Sequence, residues 1–332
     1  MLPTACQSGE TARTYLEEVL VLVTGGAGFI GSNLVHQLVQ DGVNVRILDD
    51  FSTGLESNIE GLQMDVREGC LTDADFVAAA VRGVTNVVHL AARGSVPRSI
   101  EEPRQTFEVN ATGTLNVLEA ARDEGAQVIF SSSSSVYGSN TALPKNEYMR
   151  TQPLSPYGAS KMAAESLVIS YREVYDLDAL ALRFFNVYGP LQRADHDYAA
   201  VIPKFVWAAL QGQTLRIDGD GEQTRDFTHV DSVVSVIRDA LERRVSWERP
   251  VNLAFGDRIS VNELVTMIGE FFPEGVTAEH GPARAGDVRN SRNDPTLLRS
   301  IFPDVEPAPL PEGLGTVVEW LGAAAREPRG AA

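Results

Sequence analysis

This chain of 332 residues has few cysteines and few lysines, and it carries no net positive charge. The two cysteines, Cys6 and Cys70, provide neither metal-ligand spacing nor a disulfide framework, so no metal centre is indicated and a reducing cytoplasm is expected. The 28 Lys and Arg residues stand against 45 Asp and Glu residues, a net charge of −17. This balance argues against nucleic acid and against an anionic membrane surface as partners.

Long hydrophobic runs are also missing. The longest, such as "VLVLV" at 19–23, have the length of a strand and are far too short to cross a bilayer. Residues 1–18 lack the apolar core of a signal peptide and are predicted to form a mobile polar extension. With 43% hydrophobic and 22% charged residues, the composition is that of a soluble globular enzyme with one large or two medium domains.

Strand-like and helix-like segments alternate through the first half of the chain. "VLVLV" precedes a glycine turn and an amphipathic helix that ends at Gly42, and a long helix covers "SPYGASKMAAESLVISYREVY". Further strands are predicted at 44–50, 85–92 and 126–133, and in "LDALALRFFNVYG". The alternation predicts an α/β fold with a doubly wound parallel sheet of the Rossmann type, which binds ligands at the carboxyl ends of its strands.

Past Gly189 the pattern changes to polar loops around short helices. This change predicts a smaller mixed α/β domain, folded over the ligand crevice of the first. We therefore expect an N-terminal extension (1–18) and a Rossmann domain (19–185, joined by part of 228–255). A mainly substrate-binding domain (186–322) and a disordered tail (323–332) are expected to follow.

The segment "TGGAGFIG" lies between a predicted strand and a predicted helix, which is the context that a dinucleotide-binding glycine motif requires. Gly25 and Gly28 allow a tight turn beside a pyrophosphate, and the helix N-terminus offers N–H groups to its oxygens. Asp49 and Asp50 follow the second strand about twenty residues later. A carboxylate there accepts the adenosine ribose hydroxyls and repels a 2′-phosphate, which favours NAD over NADP.

Two further cofactor contacts are predicted from "MDV", which resembles the end of another strand. Asp65, together with Val66, is expected to contact the adenine amino group. The alternative for Asp65, a helix cap or a solvated loop acid, stays open.

The segment "YGASK" places Tyr157 and Lys161 four residues apart on one face of a helix. A tyrosine ordinarily has a pKa near 10 and is a poor base at neutral pH. A nearby ammonium group and the positive nicotinamide ring are expected to lower that pKa. Tyr157 could then accept a proton from a sugar hydroxyl as hydride leaves, while Lys161 holds the nicotinamide ribose.

The chain resembles the extended short-chain dehydrogenase/reductases, in the branch of the UDP-glucose and UDP-N-acetylglucosamine 4-epimerases. The resemblance extends from Val19 to about residue 300. The segments that carry it are "TGGAGFIGSNL", "HLAARGSVPRSIEEP", "NATGTLNVLEAAR", "SSSSSVYG", "SPYGASK", "LRFFNVYGP", "GDGEQTRDFTHVD" and "RAGDVRNS". It implies a Rossmann domain with tightly held NAD, and a smaller domain that grips a nucleotide diphosphate.

The resemblance also implies the site residues. Ser133, five residues before the glycine of "VYG", is expected to hydrogen-bond the sugar O4 and to share a proton with Tyr157, so that the catalytic set is Ser133, Tyr157 and Lys161. The cofactor contacts are expected to be Gly25, Gly28, Phe29, Ile30, Asp49, Asp50, Ser52, Thr53, Gly54, Asp65, Val66, Leu90, Ala91, Ala92, Asn110, Ser131, Tyr157, Lys161 and Phe184. The substrate contacts are expected to be Gly94, Ser95, Val96, Ser133, Ser134, Tyr157, Asn186, Ala200, Val201, Leu215, Ile217, Arg225, Arg284, Asp287 and Ser291.

Within these substrate contacts the resemblance divides the roles. Asn186, Arg225 and Arg284 are expected at the diphosphate, which suits the bidentate geometry of arginine. Asp287 is expected to accept the uridine ribose hydroxyls, and backbone near Ala200 and in 215–217 is expected to frame the uracil.

Two serines after Ser133 separate the epimerases from their relatives. The dehydratases resemble "TDEVYG", and the UDP-glucuronate decarboxylases keep a glutamate just before "VYG". Here those positions are Ser134 and Ser135, so the carboxylate that either reaction needs is missing. Removal of hydride from C4, rotation of the keto sugar and return of hydride to its other face need only Ser133, Tyr157 and NAD. A non-catalytic NAD-binding protein is disfavoured because both Tyr157 and Lys161 are kept.

The sugar is predicted from Ser291, four residues past the aspartate of "RAGD". A tyrosine there is expected to exclude a 2-N-acetyl group, whereas a small residue admits it. We therefore favour UDP-GlcNAc/UDP-GalNAc, with UDP-Glc/UDP-Gal as a slower or equal substrate, and plain glucose as the native sugar stays open. The resemblance also implies a homodimer formed through the helices of "TGTLNVLEAARDEG" and "KMAAESLVISYREVY".

Overall fold

The computed structural model describes residues 19–194, 199–283 and 289–326, and within them the central element is a parallel sheet of seven strands. Its strand order is β11-β6-β5-β4-β1-β2-β3, which confirms the predicted α/β fold of the Rossmann type. The strands, in chain order, are β1 (Leu20–Thr24), β2 (Asn44–Asp49), β3 (Asp65–Glu68), β4 (Asn86–His89), β5 (Gln127–Ser133), β6 (Ala179–Phe184), β7 (Asn186–Tyr188), β8 (Leu215–Asp218), β9 (Thr224–Arg225), β10 (Phe227–His229), β11 (Val251–Leu253), β12 (Ile259–Ser260) and β13 (Ala278–Gly281).

Helices cover both faces of this sheet. In chain order, the helices of the described residues, including those of a second group of elements, are α1 (Phe29–Gln40), α2 (Ala74–Val81), α3 (Val96–Glu101), α4 (Pro103–Phe107), α5 (Gly113–Glu124), α6 (Pro156–Tyr175), α7 (Val201–Leu210), α8 (Val230–Glu242), α9 (Val261–Gly269), α10 (Thr296–Ile301) and α11 (Leu310–Arg326). A π-helical turn (Glu108–Thr112) joins α4 to α5. None of the helices in the described ranges combines the length and apolar character that a bilayer crossing needs.

The apolar strands form because both faces of the sheet are covered. Side chains alternate along β1, so Val21 and Val23 pack on the side of α1 and α8, and Leu22 packs on the side of α2, α5 and α6. Strands buried on both faces are near-continuous runs of Val, Ile and Leu. Two hydrophobic layers therefore fix the sheet and leave its carboxyl edge to carry polar residues.

The carboxyl edge has its crevice beside β1, because the chain runs from β1 outward to β2 and β3 and then crosses back to β4. The connections on the two sides of β1 consequently diverge. A parallel sheet binds its ligands at such a switch point.

A second group of elements covers this edge. The predicted strand "LDALALRFFNVYG" is two strands, since β6 belongs to the central sheet and β7 pairs with β10. Two more pairs, β8 with β13 and β9 with β12, lie beside α7, α9 and α11, which share a separate hydrophobic cluster. Helix α11 continues to Arg326, so the first four residues of the predicted tail are helical.

Candidate active site

The glycine turn after β1 brings the start of α1 against the sheet. Gly25 has φ +71°, and a Cβ on it would lie 2.8 Å from the amide nitrogen of Ala91. A Cβ on Gly31, in the first turn of α1, would lie 2.0 Å from the carbonyl oxygen of Gly25. Gly28 is the N-cap residue. The close packing that glycine permits therefore directs the N–H groups of the first helical turn at the crevice, where they can bind phosphate.

Asp49, the last residue of β2, is buried beside this turn. Its Oδ2 accepts the N–H of Ala27 at 2.9 Å and its Oδ1 accepts the N–H of Phe51 at 2.9 Å. Burial raises the pKa of Asp49, and these backbone hydrogen bonds act in the opposite direction. A carboxylate has about four lone-pair sites. Asp49 can therefore hold the glycine turn and still accept ribose hydroxyls.

A cavity of about 170 Å³ lies over the turn. It contains nine of the predicted cofactor residues together with others that the sequence did not indicate. The predicted ones are Gly25, Gly28, Asp49, Asp50, Ser52, Thr53, Leu90, Ala91 and Ala92. The others are Leu48, Gly69, Cys70, Leu71, Arg93, Gln105 and Val109.

Asp65 and Val66, the predicted adenine contacts, are not among the residues that line this cavity. These residues begin β3 rather than end it, and Asp65 is paired in register with Arg46 on β2. The Asp65 carboxylate accepts the Arg46 Nε–H at 2.7 Å. At the carboxyl end of β3, Glu68 lies opposite Asp49, so the residues that reach the cavity are the next ones, Gly69 to Leu71.

Arg93 is a functional candidate that the sequence analysis missed. It lines the cofactor cavity, forms an ion pair with Glu102, and its backbone N–H donates to Asn110 Oδ1 at 2.7 Å. The predicted cofactor residue Asn110 lies in the π-helical turn and also donates from Nδ2 to Ser160 Oγ at 3.0 Å. The sequence does carry a signal for Arg93: it directly follows Leu90 to Ala92, which were themselves predicted to contact the cofactor.

Other predicted cofactor residues lie around the same crevice. Phe29 and Ile30 form the first turn of α1. Gly54 packs on Ala27, since a Cβ on it would lie 2.9 Å from the Ala27 Cβ. Phe184 is the register neighbour of Ser133 at the ends of β6 and β5.

The three predicted catalytic residues come together at the carboxyl end of β5. Ser133 ends that strand, and its side chain lies close enough to Tyr157, in the first turn of α6, to affect the pKa of Tyr157. Lys161 lies one turn further along and donates from Nζ to the carbonyl oxygen of Ser131 at 2.7 Å. Side chains four residues apart face the same way on a helix, so α6 presents Tyr157 and Lys161 together to the strand end.

Burial controls the electrostatics of this group. It lowers the pKa of Lys161, which is only 3% exposed, to about 7. Burial also raises the pKa of Tyr157, whereas the hydrogen bond with Ser133 lowers it. In this structure, therefore, Ser133 is the neighbour that favours the Tyr157 phenolate, a role that the sequence had suggested for the Lys161 charge.

A second cavity, of about 680 Å³, opens between the sheet edge and the smaller group of elements. Six predicted substrate residues line it: Ser95, Val96, Asn186, Ala200, Val201 and Arg225. Lys204 and Arg216 line it too and add positive charge that the sequence analysis did not assign. The cavity can thus accommodate an anionic group of considerable size.

The remaining predicted substrate residues are distributed differently. Leu215 and Ile217 point into the core, because side chains alternate along β8 and the cavity receives Arg216 and Asp218 instead.

Other predicted substrate residues lie in loops and turns. Gly94 is exposed in the loop before α3. Ser134 begins the short 3₁₀ turn after β5. Ser291 is half-buried, and its N–H donates to the carbonyl oxygen of Thr224 at 3.0 Å, next to Arg225. Arg284 and Asp287 lie outside the described residues.

Sequence comparison gives a consistent result. The model of the NAD dependent epimerase/dehydratase family matches residues 21–254. A protein from Mycolicibacterium smegmatis named UDP-glucose 4-epimerase is 39% identical over 307 residues, which are 90% of this chain and 97% of the relative.

Solved structures of similar proteins have the same fold as this chain. A UDP-N-acetylglucosamine 4-epimerase from Methanobrevibacter ruminantium, in complex with UDP-N-acetylmuramic acid, superposes with a TM-score of 0.87 at 36% identity, covering 92% of this chain and 99% of that one. A UDP-glucose 4-epimerase from Thermus thermophilus in complex with NAD gives a TM-score of 0.82 at 33% identity, covering 92% and 100%.

Proposed function

The chain belongs to the NAD-dependent epimerase/dehydratase family, and from this premise we propose that it interconverts UDP-hexoses that differ in configuration at C4. The observation that carries the proposal is the group of Ser133, Tyr157 and Lys161 at the carboxyl end of β5, where Ser133 lowers the pKa of Tyr157. Ser134 and Ser135, which follow directly, carry no carboxylate with which to eliminate water or assist loss of CO₂. The dehydratase and decarboxylase alternatives are therefore not favoured.

The cofactor cavity fits NAD. Its glycine turn leaves no room for a Cβ at Gly25 or Gly31, and Asp49 places a carboxylate where a 2′-phosphate would be repelled. The first turn of α1 would hold the pyrophosphate, Asp49 the adenosine ribose and Lys161 the nicotinamide ribose. When bound, NAD supplies a hydride acceptor that can return the hydride.

Side chains of the protein accept the proton of the sugar hydroxyl and later return it. As C4 is oxidised to a ketone, the O4–H bond breaks, and we assign its proton to Tyr157 Oη with Ser133 Oγ as the hydrogen-bonding partner. The same proton returns to O4 when the ketone is reduced on its other face, so the enzyme ends each turnover unchanged. General acid–base catalysis of this kind contributes about 10²–10⁴-fold to a rate.

The larger cavity would hold the nucleotide diphosphate. We propose that Arg225, which lines it, contacts phosphate oxygens, with Asn186 on β7 beside it. Lys204 and Arg216 line the same cavity and support an anionic ligand. Between turnover steps the diphosphate would stay fixed while the keto sugar rotates.

The reaction is tested by incubating the protein with UDP-glucose and UDP-GlcNAc separately and following the anomeric signals by NMR, with the product mass measured in parallel. We expect the galacto epimer of each sugar at unchanged mass. A product that has lost water or CO₂, or no turnover of any UDP-hexose, would contradict the proposal.

Sugar size is the finer part of the proposal, and Ser291 carries it. The backbone of Ser291 is fixed to Thr224, the neighbour of Arg225 in the substrate cavity. We expect Ser291→Tyr to lower kcat/KM for UDP-GlcNAc on the order of 100-fold, because the ring fills the space for the acetamido group. UDP-glucose turnover should stay within about 3-fold.

Ser291→Ala serves as the matched control, because it is small and should accept both sugars. Steady-state rates with both substrates check the assignment. An equal loss of UDP-glucose and UDP-GlcNAc turnover in Ser291→Tyr would exclude Ser291 from the sugar pocket.

We also propose that two copies of the chain associate through α5 and α6. The support is exposed apolar surface at the end of α6 and at the end of α4, just before the turn that leads into α5: Val174, Tyr175 and Phe107 are 69%, 48% and 49% exposed. Exposed apolar groups on neighbouring helices are typical of interaction surfaces. Light scattering during gel filtration should give twice the mass of one chain, and Val174→Asp should reduce it; a monomeric wild-type protein would exclude this surface.

A cytoplasmic location belongs to the same proposal. Cys70 is a free cysteine that lines the cofactor cavity, and a reducing compartment would keep it as a thiol. Fractionation of the producing cells, with the protein in the soluble cytoplasmic fraction, is the expected result; recovery from an extracellular fraction would contradict it.

A further inference from the structure

A buried ion pair lies directly behind the catalytic residues. Glu165, on α6, accepts the Nε–H of Arg183 at 2.9 Å through Oε2 and its Nη2–H at 2.7 Å through Oε1. The two side chains are 7% and 4% exposed. Such bidentate pairing fixes both distance and orientation, since both groups are planar.

The pair joins the two elements that supply the catalytic groups. Glu165 lies one turn after Lys161 and two turns after Tyr157 on α6, so the three share a helix face. Its Oε2 also accepts the Ser132 hydroxyl at 2.6 Å, and Ser132 is covalently joined to Ser133. The Glu165 carboxylate thus binds the helix of the tyrosine to the strand end of the serine.

Arg183 extends this connection to the segment after β5. It is the register neighbour of Ser132 on β6. Its Nη1–H donates to Tyr137 Oη at 2.8 Å, and its guanidinium lies 4.8 Å from the centre of the Tyr137 ring. Tyr137 Oη in turn donates at 2.7 Å to Oδ1 of Asn252, which lies on β11. One chain of hydrogen bonds therefore joins helix α6 to the three adjacent strands β5, β6 and β11.

Stability alone is a weak reason for such a pair. Removing two charges from water costs several kcal/mol per ion, and well-packed apolar residues often stabilise a core equally well or better. What apolar residues cannot supply is a fixed orientation between a helix and a strand end. This is what a serine and a tyrosine need if they are to share one proton.

We propose that Glu165 and Arg183 are positioning residues that hold Ser133 in hydrogen-bonding register with Tyr157. The proposal rests on the proposed epimerase reaction for its kinetic consequence but not for its structural one. Breaking the ion pair of Glu165 and Arg183 should weaken the hydrogen bond between Ser133 and Tyr157. That bond lowers the pKa of Tyr157, so its loss should raise that pKa.

The kinetic test uses Glu165→Gln, which keeps the shape of the side chain and removes its charge. We expect kcat for UDP-glucose to fall about 10–100-fold, because misplacement of reacting groups by 1 Å is that costly. KM and the NAD dissociation constant should change less than about 3-fold. The acid limb of the kcat–pH profile should move to higher pH, since more alkaline solution is then needed to form the phenolate.

A second variant, Glu165→Met with Arg183→Met, leaves no uncompensated charge and should fold at least as stably as the wild type while losing the same activity. Asp178→Asn is the control. It breaks an exposed pair with Arg244 (3.0 Å between Oδ2 and Nε) just before β6, and should leave kcat and its pH profile unchanged.

The structural test needs no turnover, so it remains decisive if the epimerase reaction is wrong. With ¹³Cζ-labelled tyrosine, the Tyr157 signal, assigned by its loss in Tyr157→Phe, should titrate at a higher pH in Glu165→Gln than in the wild type. An unchanged Tyr157 titration in a folded variant, wild-type kcat, or a change confined to KM would overturn the proposal. Failure of both variants to fold would also overturn it, since the pair would then serve the fold and not the register.

Discussion

Replacing Tyr157 with phenylalanine should lower kcat about 10²–10⁴-fold for any UDP-hexose that the protein converts. Phenylalanine keeps the ring of Tyr157 and its place in the first turn of α6, so the fold should be unaffected. What it removes is the hydroxyl whose pKa Ser133 lowers and which we propose accepts the O4 proton. KM should change little, because we assign the nucleotide diphosphate to other groups, which line the larger cavity.

Tyr148→Phe is the control for this loss, since Tyr148 is 78% exposed and its ring contacts the guanidinium of Arg249. It should retain full activity. Initial rates of the two variants, measured by NMR at saturating substrate, decide the matter. If Tyr157→Phe kept more than about a tenth of the wild-type kcat, the proton would have to go to another base.

The second large effect concerns Gly31. Alanine at this position should weaken NAD binding on the order of 100-fold or more and destabilise the fold by about 1–3 kcal/mol. Its Cβ would lie 2.0 Å from the carbonyl oxygen of Gly25, a backbone atom that has no rotamer into which to move. The start of α1 must then move away from the turn, and its N–H groups lose the phosphate. Charge-assisted hydrogen bonds of that kind contribute about 1.5–3 kcal/mol each.

Gly322→Ala is a matched control for Gly31→Ala. Gly322 also lies in a helix, α11, but a Cβ there would meet its nearest atoms at 3.8 Å, an ordinary contact. The control should bind NAD as the wild type does and gain up to about 1 kcal/mol of stability. Calorimetric titration with NAD distinguishes the two; unchanged affinity in Gly31→Ala would show that the helix start is not the phosphate site.

The sequence predicted the parts of the site that depend on local order. The glycine turn, Asp49 at the end of β2, and Tyr157 with Lys161 on one helix face all lie where strand, turn and helix signals place them. Ser133 was implied by the family resemblance, which places the catalytic hydroxyl five residues before Gly138. In each case the relevant contact is made by residues near the end of an element whose type the apolar pattern fixes.

The missed features depend on register between strands. Nothing in "MDVREGC" shows where β3 begins. Because Asp65 pairs with Arg46 on β2, the strand ends at Glu68, and the residues that reach the cavity are Gly69 to Leu71. Glu165 has a helical spacing to Lys161 that the sequence shows, but its partner Arg183 is known only once β6 lies beside β5. Likewise, packing on α7 and α9 decides which side chains of β8 face the core, and it leaves Arg216 and Asp218 to line the substrate cavity.

The most direct test of the central claim follows the hydrogen at C4. UDP-glucose carrying deuterium at C4 should give a galacto product in which the deuterium is still at C4, because the hydride that leaves returns to the same carbon within one closed site. Mass spectrometry and NMR of the product in ordinary water measure this retention. Deuterium lost to solvent, or found at another carbon of the sugar, would contradict the account.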